Sequence, residues 1–515
     1  MKHIVLLMIV GLVAAVTPLT AAPSPHPQDP QAAAQPPERT VVRLVDLVND
    51  GLSGNLTLLT AIVDNRTVLA GEELARSIYD PALSADGDYS DDGQTLSVAD
   101  SASSGDLRGA GGGVTLAGAT PLSTTYAASL AANWQDQSLT ELLSDGASPV
   151  TTTTTLNLSL TQPLLRGRGR AIVGAPLESA RIAIDAADQR LARQVEVSIA
   201  EFETAYWTLG LAEAIEDTAT RSYNRALEVL QRNQQMRELE LIAEPDLITA
   251  QRAVASRATE LTQATQARRD AAEALIFLVY GERADERIRQ TGPRIRTDGQ
   301  LPEPPAVGAY EDFGGVIDTR HDVRAARYDV DQSRVGLRVA ENDTSPSLDL
   351  SGSYTATSET DGPLRVLVAG STGLDIDGWQ ASAVFTYPIG NHEAVGRRAQ
   401  AALAVDGSEL VRSAVENAAR QDVRQAGRAI LAEQEALSQA RLTLQYSQQQ
   451  YDAGRQQLQL GLIDSFRLLQ MEDDVVEAEL AEIRARYSLA QAVTRYQLAL
   501  GTIDDKYPAA AVVAQ

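Results

Sequence analysis

The residues that could do chemistry in this 515-residue chain are few and scattered. The four histidines, His3, His26, His321 and His392, lie far apart, so neither a His-based metal set nor a catalytic triad is read from them. There is no cysteine, which excludes a disulfide framework, a thiol nucleophile, a Cys-ligated metal and a lipidated N-terminal cysteine. The run DGDYSDDG, Asp86 to Gly93, is rich in carboxylates, but its spacing is not that of an EF-hand and a solvated turn is expected. Glu472, Asp473 and Asp474 are read as a solvated helix face. Arg166, Arg168 and Arg170 suit either lipid headgroup phosphates or plain solvent in a turn. Asn55-Leu56-Thr57 and Asn342-Asp343-Thr344 fit a glycosylation pattern to which no role is assigned. No catalytic, metal or cofactor site follows from these residues. The formal charge of −25 argues against a nucleic-acid partner and suits a surface or lumen that attracts cations, though ordinary acidic solubility accounts for it as well.

The elements that would position any site are more informative. Residues 1–22 read as a secretory signal, with Lys2 and His3 before the apolar run Ile4 to Val16 and a small-residue cleavage site at Thr20-Ala21-Ala22. Residues 23–40 are a Pro/Ala/Gln-rich leader. Later in the chain no apolar stretch is long enough for a membrane-spanning helix. Val41 to Tyr79 carries helical patterning, and residues 86–150 are rich in Gly, Ser, Thr and Asp. Period-2 alternation marks strands at Tyr126–Trp134, Leu156–Thr161, Leu348–Tyr354 and Trp379–Tyr387, each with one aliphatic or aromatic face and one polar face. Residues 357–377 read as a loop between the last two strands.

After Pro163 the period changes to 3.6, and a helix is expected from about Pro176 to Leu239, at roughly 1.5 Å per residue some 90 Å long. Glu244-Pro245-Asp246 restarts the chain in a helix ending at Gly281. Its seams, Leu247-Val254-Leu261-Leu275 and Ala250-Ala264-Ala271-Leu278, recur every seven residues and are interrupted by Arg268 and Arg257. The linker, residues 282–317, holds Pro293, Pro302, Pro304 and Pro305. The order then recurs: a helix from Asp318, strands, Pro388, a helix from about Glu393 to Gln457, a break at Leu460-Gly461-Leu462, and a last helix closed by Gly501. A shift of 221 residues carries Leu247, Val254, Leu261, Arg268 and Leu275 onto Leu468, Val475, Glu482, Leu489 and Tyr496. The chain is therefore read as two repeats, 41–281 (strands about 84–162, helices about 176–280) and 318–501 (strands about 347–388, helices about 393–500), with a tail at 502–515.

Four one-faced strands cannot close a barrel alone, and an open sheet edge cannot stand in lipid, so several chains must share one barrel. At this point LNLSLTQPLL, SPSLDLSGSY, FTYPIG and LGLIDSFRLLQMEDDVVEAE resemble the TolC-like outer-membrane efflux proteins, from about residue 40 to 501, with residues 90–150 matching least. The resemblance implies an α+β membrane protein: a homotrimer with a twelve-stranded barrel, four strands per chain, continued by a helical coiled-coil tunnel in the periplasm. Residues 90–150 would then hold an enlarged extracellular loop or an extra hairpin. The resemblance further implies an outer-membrane location and a passive export duct that acts through a periplasmic adaptor and an inner-membrane pump. A duct for type I protein secretion has the same architecture, and a structural coiled-coil envelope spacer is the reading from another class. Pro163 and Pro388 would mark the strand-to-helix junctions. Leu239 and Leu241, with Leu460, Gly461 and Leu462, match the adaptor-docking tips; the first tip keeps the leucines and lacks the glycine. Asp246, Asp464, Arg467 and Gln470 fall at the periplasmic gate. Arg467 and Gln470 stand where relatives can carry acidic residues, so an acidic ring is not expected, and Asp246 is expected to pair with Arg467 or with an arginine of a neighbouring chain.

Overall fold

The computed structural model describes residues 40–98, 101–137, 150–239, 242–292, 294–307, 314–361, 376–460 and 462–513. The expected signal and all but the last residue of the leader lie outside them. In chain order the elements are β1 (Thr40–Val42), α1 (Leu44–Gly54), α2 (Leu56–Arg76), β2 (Ala82–Val98), β3 (Ser101–Ala119), β4 (Thr125–Gln137), β5 (Val150–Pro163), α3 (Arg170–Val173), α4 (Ala175–Glu238) and α5 (Glu244–Tyr280). They continue with α6 (Ala284–Thr291), β6 (Ile295–Thr297), α7 (Gly314–Thr319), α8 (His321–Asp343), β7 (Ser347–Asp361), β8 (Ile376–Thr386), α9 (His392–Gln459), α10 (Ser465–Leu500) and α11 (Pro508–Val513). No helix among the described residues is long and apolar enough to cross a membrane.

One antiparallel sheet of six strands, ordered β2-β3-β4-β5-β7-β8, replaces the four strands per chain expected from the sequence. The additional pair, β2 with β3, answers to the extra hairpin that was one alternative for residues 90–150, while the expected solvated turn at Asp86–Gly93 lies inside β2. The misreading has a physical cause. Gly and Asp are depleted in ordinary strands, but here they alternate to fit one another. Asp86 and Asp88 stand opposite Gly113 and Gly111, and a Cβ at Gly111 would sit 2.5 Å from the Asn133 side chain and 2.6 Å from that of Asp88. The glycines make room on the polar face for carboxylates and amides of the flanking strands.

Register carries one apolar face across the whole sheet. Val114, Leu130, Leu156 and Ala356 form one continuous row, and Leu158, Tyr354 and Trp379 another. The alternate rows hold Ser129 with Asn157 and Thr355, and Ser159 with Ser353 and Gln380. The apolar face ends in aromatic residues, Tyr126 at one end of β4 and Trp134 at the other, with Tyr89 joining Trp134's row through Ala110. Eight residues separate Tyr126 from Trp134, roughly 27 Å along a strand, close to the height of a lipid-facing band once tilt is allowed for. Beyond that row the same parity turns charged, with Asp91 and Arg108 3.5 Å apart. Tyr89, Leu130, Trp379 and Phe385 are exposed in the single chain.

The helices follow the sequence closely. α4 runs 64 residues and α9 runs 68, with no proline beyond Pro176 in the first turn of α4. α5 returns along α4 and α10 along α9, while α10 also packs on α4, and α8 on both α4 and α9. The seam of α5 buries Ala250, Ala264 and Leu275 as read. Arg268, which interrupts it, is also buried and lies 3.0 Å from Glu216 of α4. Where α4 meets α10, Gly210 lets the helices close: a Cβ there would lie 2.7 Å from the buried Tyr487 ring. Gly210→Ala is expected to cost about 1–3 kcal/mol by overpacking, outweighing alanine's helix preference of roughly 1 kcal/mol. Thermal unfolding followed by circular dichroism reads the difference.

The linker is more structured than its prolines suggest. β6 pairs in parallel with β1. Thr297 gives its backbone N–H and its hydroxyl to the buried Glu213 carboxylate of α4, the latter at 2.7 Å. The Tyr206 hydroxyl donates to Asp298 at 2.9 Å. Beneath, Phe202, Tyr206 and Trp207 of α4 and Leu47, Val48 and Leu52 of α1 belong to one core cluster, with Tyr206 and Trp207 edge to face at 5.1 Å. Binding the linker to α4 buries polar groups that are all partnered, which is the condition for burying them at all.

Candidate functional site

Two places concentrate the residues singled out from sequence: the strand-to-helix junctions and the helix tips. Pro163 is the last residue of β5. The chain then turns against β7's entry, with Leu164 N–H donating to the Leu348 carbonyl at 2.8 Å and Gly167 N–H to the Asn342 side chain at 2.7 Å. Proline fits an edge-like strand end because it has no N–H to leave unpaired. Pro388 follows β8, and Asn391, in a left-handed conformation at φ 37°, starts α9 while its side chain donates to the Thr344 carbonyl at 3.2 Å. Both junctions therefore fasten onto the end of α8. Tyr387 and Ile389 stand out beside Pro388, 66% and 96% exposed, where an apolar collar below the sheet would meet lipid.

At the opposite end α4 stops at Glu238 and α9 at Gln459. Leu239, Leu460 and Leu462 are 68%, 74% and 70% exposed. Leu241 and Gly461 lie outside the described residues. Both return helices start with acidic help for their free N–H groups. Asp246 sits in the first turn of α5, where its charge suits the helix dipole. Asp464 caps α10 by accepting from Arg467 N–H at 2.8 Å. The Arg467 guanidinium donates to Gln470 at 2.9 Å. Within one chain Arg467 thus turns to its own helix rather than to Asp246.

Above the tips, α4, α5 and α10 enclose a cleft of about 490 Å³ lined by Ser222, Arg252, Arg257, Phe466, Gln470 and Glu472 among others. Its charges are paired across helices. Arg257 of α5 reaches Asp473 of α10, and also holds Glu260 at 2.7 Å. Arg225 of α4 lies 2.7 Å from Glu472. This corrects the solvated-face reading of Glu472 to Asp474 for its first member, which is 7% exposed. The signal was available: the 221-residue shift carries the seam residue Ala250 onto Met471, and Glu472 lies one residue past it, so a carboxylate there sits at the edge of a helix–helix seam. The arrangement offers no nucleophile–base pair. What it offers is an exposed apolar rim and a bundle whose helices are tied by ion pairs.

Residues 316–502 match the family model for outer membrane efflux proteins. No functionally curated protein matches the chain in sequence. In fold the chain is similar to the CmeC outer membrane channel of Campylobacter jejuni (TM-score 0.67, 16% identity, covering 94% of each chain). It is likewise similar to the outer membrane protein VceC of Vibrio cholerae (TM-score 0.63, 15% identity, 89% of this chain and 96% of that one). A third is the open state of the MtrE outer membrane channel of Neisseria gonorrhoeae (TM-score 0.59, 19% identity, 93% and 97%). These identities establish likeness of fold. Residues 316–502 thus match the model for outer membrane efflux proteins, and the fold shared with solved outer membrane channels extends over about nine-tenths of the chain.

Proposed function

We propose that the chain is the outer-membrane duct of a tripartite exporter, passing small molecules received through a periplasmic adaptor from an inner-membrane pump. The observation that carries this reading is the six-stranded sheet with one largely apolar face, joined at Pro163 and Pro388 to paired helices of 64 and 68 residues. Its outer strands, β2 and β8, run in opposite directions, so β8 of one copy can pair antiparallel with β2 of the next. Lipid forbids leaving those edges open. Three copies then close an eighteen-stranded barrel in place of the twelve strands expected. Since diameter grows roughly linearly with strand number, this barrel is about one and a half times as wide, in the range that leaves an aqueous lumen. The two repeats set their helices around the same axis, and the tunnel continues the lumen. The tips, Leu239 and Leu241 with Leu460, Gly461 and Leu462, meet the adaptor; Asp246, Asp464, Arg467 and Gln470 frame the mouth between them.

The test is conductance of the purified full chain in planar bilayers, combined with two neighbouring substitutions. Leu130 lies on the apolar face in the middle of β4, and Ser129 lies on the opposite one. A basic residue at the lipid midplane costs about 2–4 kcal/mol per strand. Leu130→Arg is expected to abolish the heat-modifiable oligomer in outer-membrane fractions. Ser129→Arg is expected to leave the oligomer intact and shift its ion selectivity toward anions. Equal tolerance of both substitutions, or a wild-type protein that conducts nothing, sinks the duct and favours an envelope spacer.

A further inference from the structure

We propose that Glu196, His321 and Asp504 form a binding site for a divalent transition-metal cation, Zn²⁺ in the simplest case, where α4, the start of α8 and the turn after α10 converge. The donor atoms of these three side chains all lie within 4.8 Å of one another. His321 is oriented for ligation. Its Nδ1 is 2.8 Å from the Gln189 amide oxygen, which can only accept, so Nδ1 carries the proton and Nε2 presents a lone pair. Nε2 faces Glu196 Oε1 at 3.8 Å, beyond hydrogen-bond reach.

Glu196 supplies the second observation. It is fully buried, and its Oε1 has no hydrogen-bond donor among the described residues. Its other oxygen is fixed by Arg193 at 2.7 Å, and Arg193 is itself anchored on the Leu498 carbonyl at 3.0 Å. Two lone pairs held face to face repel unless a proton or a cation is shared between them. Asp504 adds a second carboxylate, and one imidazole with two carboxylates and water is a donor set that Zn²⁺ and its first-row neighbours accept. Of the nearby cations, Arg193 is spent on Glu196 and Arg320 on Asp322 at 2.6 Å and Asp422 at 3.5 Å, while Arg324 also bears on His321. His321 is partly exposed, which gives a path in, and Gly501 leaves space where a Cβ would stand 3.4 Å from Glu196 Oε1. Nitrogen and oxygen ligands sit about 2.0–2.2 Å from Zn²⁺, so a small inward movement of the three side chains closes the site. The bound ion would staple the turn after α10 to α4 and α8.

The rival occupant is a proton, since burial pushes the Glu196 carboxyl up to about 7. The untagged full chain in detergent, stripped with a chelator and titrated with Co²⁺, separates the two. The expected result is one Co²⁺ per chain with the visible bands of a four- or five-coordinate ion, displaced by Zn²⁺, and a higher unfolding temperature in Zn²⁺. His321→Ala should remove the bands. Gln189→Ala, which leaves all three ligands in place, should weaken Co²⁺ binding about 10–100-fold. Wild-type protein that shows neither bands nor a Zn²⁺-dependent melting temperature overturns the proposal in favour of the shared proton. Binding that is undiminished in both variants overturns it in favour of adventitious metal elsewhere.

Discussion

Arg268→Ala is expected to destabilise the helical bundle by about 3–5 kcal/mol, because it removes the cation that faces the buried Glu216 carboxylate. The two side chains are 7% and 8% exposed and 3.0 Å apart, in the middle of the α4–α5 seam. Removing one partner of such a pair exposes the full desolvation cost of the other. The second repeat shows what the crossing looks like without charge. The 221-residue register carries Glu216 to Leu437 and Arg268 to Leu489, and both leucines are buried in one cluster. The same position therefore accepts either an ion pair or a leucine pair. It follows that the double substitution Glu216→Leu with Arg268→Leu should recover most of the loss, since replacing a buried ion pair by packed apolar groups is often neutral or stabilising. Melting temperatures of the wild type and of the single and double variants make the cycle. A single variant that melts like wild type, or a double variant worse than the single, contradicts the account.

The exchange runs in the other direction one heptad earlier. Leu261 corresponds to Glu482 in the same register. Glu482 is 5% exposed and is met by Arg486 at 2.6 Å and Arg441 at 3.5 Å, where the first repeat has Thr265 and Thr220. Charges have entered the seam of each repeat at different heights, each with its own partner. Such pairs add little net stability over an apolar contact, but a slipped register would strand them. They therefore fix the sliding position of helices whose alanine seams would otherwise tolerate displacement by one heptad.

These pairs also mark the limit of what the sequence made legible. Helix extent, the breaks at Leu239 and Leu460, the capping glycines and the alternating face of the sheet all follow from local periodicity, which one strand or helix displays by itself. The Glu216–Arg268 partnership, the burial of Glu472 and the place of β2 and β3 in the sheet do not. Arg268 could be seen to interrupt a seam, but its partner stands on another helix 52 residues away in sequence. The glycines of β3 look like loop until Asp86, Asp88 and Asn133 are placed beside them, and that is a property of three strands at once. His321 was set aside as an isolated histidine for the same reason, since Glu196 and Asp504 lie on separate elements.

Leu460→Asp combined with Leu462→Asp is expected to abolish export while leaving the oligomer and its conductance intact. Leu460 and Leu462 are 74% and 70% exposed on the turn that follows the polar end of α9, with Phe466 also exposed at the start of α10. No described residue buries them, and their burial by a partner would contribute about 1.5–3 kcal/mol each. Losing both weakens the proposed docking by about 3–6 kcal/mol, roughly 10²–10⁴-fold, at every copy of the tip. Leu239→Asp should do less, because the first tip lacks the glycine that completes the tip pattern of the second. The N-cap bond from Asp464 to Arg467 N–H lies outside both substitutions, so α10 should still start correctly. The measurement is export of a fluorescent dye from cells that carry the cognate pump and adaptor and lack their own duct, alongside bilayer conductance of the same variants. Export that survives the double substitution removes the tips from the docking surface. Conductance lost together with export would instead show that the leucines hold the duct itself together.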